Sequence, residues 1–121
     1  MTPRLEGTNV LLVEDEAIIA MTAEDMLEEL GCTVAATASS VAEALAAVKE
    51  AEFDLALLDI NLNGETSLEV AEALRSEGRP FLFTTGYGSA GRGEAFTDVP
   101  LVTKPYQLRE LAEAIAKAME K

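Results

Sequence analysis

Several residue types that catalytic and metal-binding proteins commonly use are scarce or missing in this chain of 121 residues. It has no histidine and no tryptophan, and its single cysteine is Cys32. The absence of histidine excludes the commonest general base, the commonest metal ligand and any phosphohistidine. One cysteine excludes an internal disulfide and leaves no cluster for zinc. We predict that Cys32 packs as a small buried hydrophobe.

Basic residues are also scarce, because nine Lys and Arg stand against 22 Asp and Glu, which gives a formal net charge of −13. An acidic surface repels the phosphates of nucleic acids and the anionic head groups of lipids. The composition therefore argues against direct binding to nucleic acid or to membranes. No apolar run reaches the ~20 residues that span a bilayer, and no signal peptide precedes the first predicted strand. We expect a cytoplasmic protein.

The hydrophobic pattern predicts an α/β fold, because short apolar runs alternate with segments of helical periodicity along the whole chain. Apolar runs predict five strands, at residues 9–14, 32–37, 54–58, 80–84 and 99–103. Helical spacing predicts a helix that ends at Gly31, a second that begins at Ser40 with a capping box to Glu43, a third over 65–77 and a last one from Pro105. Four glycines between residues 86 and 93 predict that any fourth helix there is short or loose.

This alternation favours one parallel sheet with helices on both faces, since right-handed crossovers place helices there. We find no internal repeat or linker in the sequence. A single domain over residues 1–121, with a core over about 8–120, accounts for the whole pattern.

Polar side chains follow four of the predicted strands, at the point where each strand ends. Acidic residues 14–16 stand at the end of the first strand, while Asp59, Thr85 and Lys104 follow the third, fourth and fifth strands. Taken one at a time, each of these polar residues more often belongs to a solvated turn or places its charge at the N-terminus of a helix. However, ligands of doubly wound sheets bind at the carboxyl ends of the strands. The joint placement therefore predicts a functional site at this edge.

The acids at this edge indicate a hard cation. Carboxylates about 5 Å apart repel by about 3 kcal/mol per pair at an effective dielectric constant near 20. With oxygen ligands and neither histidine nor a cysteine cluster, the natural cation is Mg²⁺. An aspartate beside Mg²⁺ can attack phosphorus, and the Lys104 ammonium and the Thr85 hydroxyl can contact the phosphoryl oxygens. We expect such a modification to reorganise the loop that carries Thr85.

The sequence resembles the receiver domains of two-component response regulators over essentially its whole length. The resemblance depends on the ordered motifs VLLVEDE (10–16), LALLDINL (55–62), FLFTTG (81–86) and TKPY (103–106). It implies a flavodoxin-like, doubly wound sheet with strand order 2-1-3-4-5. It also implies a signalling domain rather than an enzyme, which a partner histidine kinase or histidine phosphotransfer protein phosphorylates on aspartate and which acts on an unknown downstream protein.

The resemblance also implies a set of Mg²⁺ ligands. Asp59 resembles the phosphoacceptor, which is itself a ligand, and Asp15 resembles the direct ligand of the metal. Glu14 is then the second acid, acting through water. The backbone carbonyl of Asn61 completes the ligands from the protein.

Further positions match residues that contact or flank the phosphoryl group in the family. Thr85 resembles the switch hydroxyl, and Lys104 resembles the lysine that contacts the phosphoryl group. Gly86 matches the small residue that leaves the phosphorylation site open. Pro105 is the candidate for a cis peptide bond after the lysine.

The chain departs from the usual receiver pattern in ways that identify a subgroup, commonly of single-domain receivers, marked by Thr-Gly-Tyr at 85–87. Asn63 stands where many members have proline, and Leu101 stands where the last strand usually holds an aromatic residue. The segment between Thr85 and Lys104 is shortened and rich in glycine. We therefore expect Leu101 and Tyr87 to modulate the response, with ordering of the loop replacing the usual threonine–aromatic switch.

Two alternative functions are disfavoured by the residues at particular positions of this sequence. A phosphatase of the haloacid dehalogenase type needs a general acid two residues after its nucleophilic aspartate, but Asn61 stands there. A flavin-binding loop, which residues 84–89 superficially resemble, would follow the first strand, where acids stand instead. A receiver could act as a switch, a phosphoryl shuttle or a phosphate sink. The initial Met and short flanks favour a natural single domain over a piece of a hybrid kinase.

Overall fold

A computed structural model describes residues 5–86 and 96–120 of the chain. Its strands are β1 (Asn9–Val13), β2 (Thr33–Ala38), β3 (Leu55–Asp59), β4 (Asn61–Leu62), β5 (Glu65–Thr66), β6 (Phe81–Thr85) and β7 (Leu101–Thr103). Its helices are α1 (Ala17–Glu29), α2 (Val41–Glu50), α3 (Leu68–Ser76) and α4 (Leu108–Ala118). Most of the glycine-rich stretch, including Tyr87 and the predicted short helix, lies outside the described residues.

The main sheet has five strands in the order β2-β1-β3-β6-β7, and every neighbouring pair is parallel. Strands β4 and β5 form a separate antiparallel hairpin between β3 and α3. Counting only the strands of the main sheet, this is the predicted order 2-1-3-4-5. The predicted flavodoxin-like fold is confirmed.

Helices cover both faces of the sheet, as the crossover argument requires. One apolar cluster joins the sheet to α2 and α3, and it includes Phe83 and Phe96. The other joins the sheet to α1 and α4, and it includes Cys32, which is buried as predicted, and Tyr106. Strand β3 is buried along its whole length between these clusters, so the sheet fixes the position of Asp59 at the carboxyl end of this strand. None of the helices in the described part of the chain combines the length and apolar character of a membrane span.

The predicted third helix began too early, because residues 61–66 form the hairpin instead. Asn63 and Gly64 have positive φ angles of 53° and 86°. An Asn-Gly pair in this conformation favours a tight two-residue turn, which a helix cannot contain. As a result α3 begins at Leu68 rather than at residue 65.

The last strand and the last helix are also shorter than predicted. Strand β7 begins at Leu101 rather than at residue 99, because the Val99 N–H turns back to donate to the Phe96 carbonyl. Helix α4 begins at Leu108 rather than at Pro105, because Gln107 is still extended, with a φ angle of −110° and a ψ angle of 135°. Residues 104–107 therefore form a linker between the sheet edge and the helix.

Candidate functional site

The carboxyl ends of β1, β3, β6 and β7 bring the predicted polar residues to one edge of the sheet. They line a cleft of about 240 Å³ together with residues from α1 and the β3–β4 junction: Asp15, Glu16, Ile19, Asp59, Asn61, Thr85, Gly86 and Lys104. The parallel register sets this arrangement, since it places Asp59 beside Thr84 at the ends of β3 and β6. Residues distant in sequence therefore share one small volume.

Three carboxylates form the acidic part of the cleft. Each of Glu14, Asp15 and Asp59 offers an oxygen that lies within 4.8 Å of the others. Glu14 and Asp59 are buried, whereas Asp15 is half-buried. Three carboxylates that converge on one point, one of them open to solvent, fit the oxygen ligation and partial hydration that Mg²⁺ requires. The residues present therefore fit a Mg²⁺ ion.

Lys104 neutralises two of these carboxylates. Its Nζ lies 2.9 Å from Asp59 Oδ2 and 3.0 Å from Glu14 Oε1. Burial alone would lower the pKa of the ammonium, but the hydrogen bonds and charges of Asp59 and Glu14 outweigh burial and raise the pKa above its usual value. Lys104 therefore stays charged, and its ammonium is fixed beside the Asp59 carboxylate.

The Glu14 carboxyl of the cleft has a raised pKa, which means that its environment disfavours the ionised form. Burial, followed by the negative charge of Asp59, raises its pKa to about 7. A hydrogen bond from the Glu16 N–H and the contact with Lys104 act in the opposite direction but do not compensate. A cation in the cleft would favour the ionised form of Glu14, because it would relieve the repulsion between the carboxylates.

The hairpin of β4 and β5 holds Asp15. The Asn63 N–H donates to Asp15 Oδ2 at 2.9 Å, and the Asn63 side-chain amide donates to the Ser39 carbonyl at 3.4 Å. Asn61 Oδ1 accepts a hydrogen bond from the Gly64 N–H at 2.9 Å, which closes the turn. Sequence reasoning noted Asn63 only as a departure from proline, although the Asn-Gly pair is itself a hairpin signal. Proline could not supply this N–H.

The phosphoacceptor candidate is held on both its side chain and its main chain. Asp59 Oδ1 accepts from the Asn61 N–H at 3.2 Å, and the Asp59 carbonyl accepts from the Ser67 hydroxyl at 2.6 Å. Ser67 is fully buried. Ser67 was not predicted as a site residue, because the predicted third helix began at residue 65 and placed Ser67 within its first turn.

The remaining predicted residues lie around the cleft. Thr85 is buried at the end of β6, and its carbonyl accepts from the Lys104 N–H at 2.8 Å. Among the described residues, no atom lies within 4 Å of a Cβ added at Gly86. The peptide bond between Lys104 and Pro105 is cis. Leu101 is half-buried against the cluster of α2 and α3, away from the carboxylates.

Comparison with known proteins gives the same family as the motifs. The sequence model of the response regulator receiver domain matches residues 10–116. The solution structure of SdrG from Sphingomonas melonis Fr1 shares 43% identity with a TM-score of 0.84, covering 93% of this chain and 97% of that one. The solution structure of the BeF3-activated conformation of SdrG from Pseudomonas melonis Fr1 shares 41% identity with a TM-score of 0.81, covering 95% and 98% of the two chains.

Two curated relatives are regulators longer than this chain. The two-component response regulator PhoP of Pseudomonas aeruginosa is 36% identical over 84% of this chain and 47% of its own length. The phyllosphere-induced regulator PhyR of Methylorubrum extorquens is 33% identical over 93% of this chain and 44% of its own length. The chain thus spans about half the length of these relatives. From the family match over residues 10–116 and the shared fold, this chain belongs to the response regulator receiver domains of two-component systems.

Proposed function

We propose that Asp59 accepts a phosphoryl group in this receiver domain. The observation that carries the proposal is the pairing of the buried Asp59 carboxylate with the Lys104 ammonium at 2.9 Å, beside two further carboxylates. In the reaction, an Asp59 oxygen forms a bond to phosphorus while the bond between phosphorus and the donor nitrogen or oxygen breaks. The donor keeps that electron pair, so that a phosphohistidine leaves as neutral imidazole and acetyl phosphate leaves as acetate.

Mg²⁺ is the cofactor that the donor set favours. Asp15 and Asp59 would hold the ion directly and Glu14 through water, with the Asn61 carbonyl as a further ligand. When bound, the ion would supply positive charge that offsets the charge of the phosphoryl oxygens. Lys104 contributes the same kind of stabilisation from the chain itself, because its ammonium already lies beside the attacked carboxylate.

Thr85 and Gly86 are proposed to contact and accommodate the phosphoryl group once it is attached to Asp59. Thr85 ends β6 next to the cleft, so its hydroxyl can donate to a phosphoryl oxygen once the group is attached. Gly86, which has no atom of the described residues within 4 Å of a Cβ position, is proposed to leave room for the incoming donor. Tyr87 and Leu101 stay proposed modulators, with ordering of the loop after Gly86 as the outward signal, and Tyr87 lies outside the described residues.

The phosphoryl donor is proposed to lie outside residues 1–121, because these residues include no histidine. We propose a histidine kinase or a histidine phosphotransfer protein in the cytoplasm, with a downstream protein that responds to the modified form. We further propose that the chain catalyses at most its own phosphorylation and dephosphorylation. Use as a switch, a phosphoryl shuttle or a phosphate sink would each employ the same site.

The first test is the intact mass of the protein after incubation with acetyl phosphate and Mg²⁺, with Asp59→Asn as the control. We expect one phosphoryl addition that disappears in the variant and when a chelator is added beforehand. Beryllofluoride titration followed by NMR covers the case of rapid hydrolysis, since SdrG has a BeF3-activated conformation. A protein that neither gains mass nor responds to beryllofluoride would contradict the proposal.

A further inference from the structure

Ser67 stands at the N-cap position of α3 but does not cap the helix with its side chain. A serine at this position usually accepts a hydrogen bond from an N–H in the first helical turn. Ser40 does so at the start of α2, where its Oγ accepts from the Glu43 N–H at 3.1 Å. The Ser67 hydroxyl instead donates to the Asp59 carbonyl at 2.6 Å. The Ser67 hydroxyl therefore contacts the main chain of the proposed phosphoacceptor residue and not the helix that it precedes.

The position of Asp59 in the sheet explains why this bond matters. The pairing of β1 with β3 ends at Val13 and Leu58, so Asp59 lies one residue beyond that ladder. Ser67 is 0% exposed, so water cannot readily replace its hydroxyl. The hydrogen bond from the Ser67 hydroxyl therefore fixes the main chain of Asp59, the first residue of β3 beyond the pairing with β1.

Ser67 also holds the next residue. Its N–H donates to the Ile60 carbonyl at 2.8 Å. One buried residue thus binds two consecutive carbonyls and closes the loop from Asp59 to Ser67. That loop carries Asn61, whose N–H contacts the Asp59 carboxylate, and Asn63, whose N–H contacts Asp15.

We propose that Ser67 is a positioning residue for the phosphorylation site, an inference that rests on the proposed role of Asp59. Its hydroxyl fixes the main chain at Asp59, and this in turn fixes the Asp59 carboxylate and the neighbouring Asn61 carbonyl relative to the cation site. Groups behind a metal ligand commonly change metal affinity by about 10- to 100-fold when they are removed. Ser67 acts through Asp59 and touches neither the cation nor the donor.

The test uses two pairs of variants in the full chain. Ser67→Ala removes the hydroxyl, while Ser67→Thr and Ser67→Val have the same shape and differ in the hydroxyl alone. Ser40→Ala is the matched control, since it removes a genuine helix cap. For each variant, Mg²⁺ affinity is measured by an NMR titration of backbone amides, and the phosphorylation rate by intact mass with acetyl phosphate at saturating Mg²⁺.

We expect the Ala and Val variants at position 67 to bind Mg²⁺ about tenfold more weakly and to be modified more slowly. Ser67→Thr should bind Mg²⁺ more tightly and be phosphorylated faster than Ser67→Val. Ser40→Ala should lower the melting temperature but leave Mg²⁺ affinity within about twofold of the wild type, since its cap does not contact the site. If Ser67→Ala matches the wild type in both measurements, or if Thr and Val behave alike, the inference is overturned. Failure of the wild type itself to gain mass or respond to beryllofluoride would instead overturn the proposed function.

Discussion

Lys104 Nζ and Asp59 Oδ2 form a hydrogen-bonded ion pair of 2.9 Å at the edge of the sheet, with side chains that are only 14% and 5% exposed. The Lys104 ammonium is therefore already hydrogen-bonded to the carboxylate that we propose as the phosphoacceptor, before any phosphoryl group is attached. Transfer of the group would give the same ammonium new oxygen atoms to contact, without moving it into the site from solvent.

Replacing Lys104 with alanine should destabilise the protein while sparing Mg²⁺ binding. Loss of the ammonium leaves two buried carboxylates uncompensated, which we expect to lower the free energy of unfolding by about 3 kcal/mol in the absence of metal. Mg²⁺ should bind at least as tightly as in the wild type, because a competing positive charge is gone, whereas the response to beryllofluoride should be weakened. Urea unfolding and NMR titrations measure these effects.

The control for that experiment is Arg109→Ala. Arg109 pairs with Glu113 on α4 at 3.2 Å, but both side chains are largely exposed. An exposed pair of this kind contributes about 0.5 kcal/mol or less. If both variants lose the same stability, the proposed importance of the buried pair is wrong.

Stability in metal-free buffer should fall as the pH rises through the titration range of Glu14. The carboxyl has a pKa near 4.5 when unfolded and about 7 in the folded protein, because of burial and the charge of Asp59. Between these values the folded state binds more protons than the unfolded state, so the contribution of Glu14 to the free energy of unfolding decreases with rising pH. Urea unfolding at several pH values, with chelator present, measures this slope.

Glu14→Gln is the comparison for the pH series. The variant cannot titrate at this position, so its stability should be higher than that of the wild type near pH 7 and should vary less between about 4.5 and 7. Mg²⁺ affinity of the wild type should increase over the same interval, since protons compete with the ion. Parallel curves for wild type and variant would show that Glu14 does not titrate there.

Two substitutions at Asn63 separate its backbone from its side chain. Glycine keeps the N–H that binds Asp15 and accepts the φ angle of 53°, so Asn63→Gly should retain Mg²⁺ affinity. Proline removes the N–H and requires a φ angle near −65°, so Asn63→Pro should lose more than about 1 kcal/mol of stability and bind Mg²⁺ differently. Thermal unfolding and the Mg²⁺ titration compare them, and equal behaviour of the two would contradict the role of this N–H.

Asn61 is expected to control how long the phosphorylated state lasts. Its proposed contact with Mg²⁺ uses the backbone carbonyl, which substitution leaves in place, whereas its side chain lies at the cleft and accepts from the Gly64 N–H. Asn61→Ala should therefore still be phosphorylated but should lose the group at a different rate. Decay of the intact-mass signal after removal of the donor measures this rate. A decay rate equal to that of the wild type would exclude Asn61 from control of water access.

The sequence predicted the sheet and the convergence of the polar residues because both follow from strand periodicity. Once the order of parallel strands is known, residues that end neighbouring strands must meet at one edge, as Asp59 and Lys104 do. The capping box at Ser40 was equally accessible, and the Glu43 N–H indeed donates to Ser40 Oγ. These features depend on local patterns or on topology alone.

Contacts that depend on one particular turn could not be predicted from the sequence in the same way. The stripe of apolar residues in α3 does not say where the helix begins, so the hairpin before it was missed despite its Asn-Gly pair. The bond from Asn63 to Asp15 spans 48 positions and depends on that hairpin. Ser67 lies inside the predicted helix over 65–77, and only the geometry shows that it precedes α3 and that its hydroxyl donates to the Asp59 carbonyl.

The hydrogen bond from the Lys104 amide to the Thr85 carbonyl, 2.8 Å long, has a mechanical consequence. It joins the backbones that carry the two proposed phosphoryl-contacting groups, so these strands cannot slide past each other without breaking the ladder between β6 and β7. Displacement caused by the new group would then start in the Thr85 side chain rather than in the paired backbones. The strand ends thus form a rigid half of the site, against which a change in side-chain position can be transmitted without loss of the sheet.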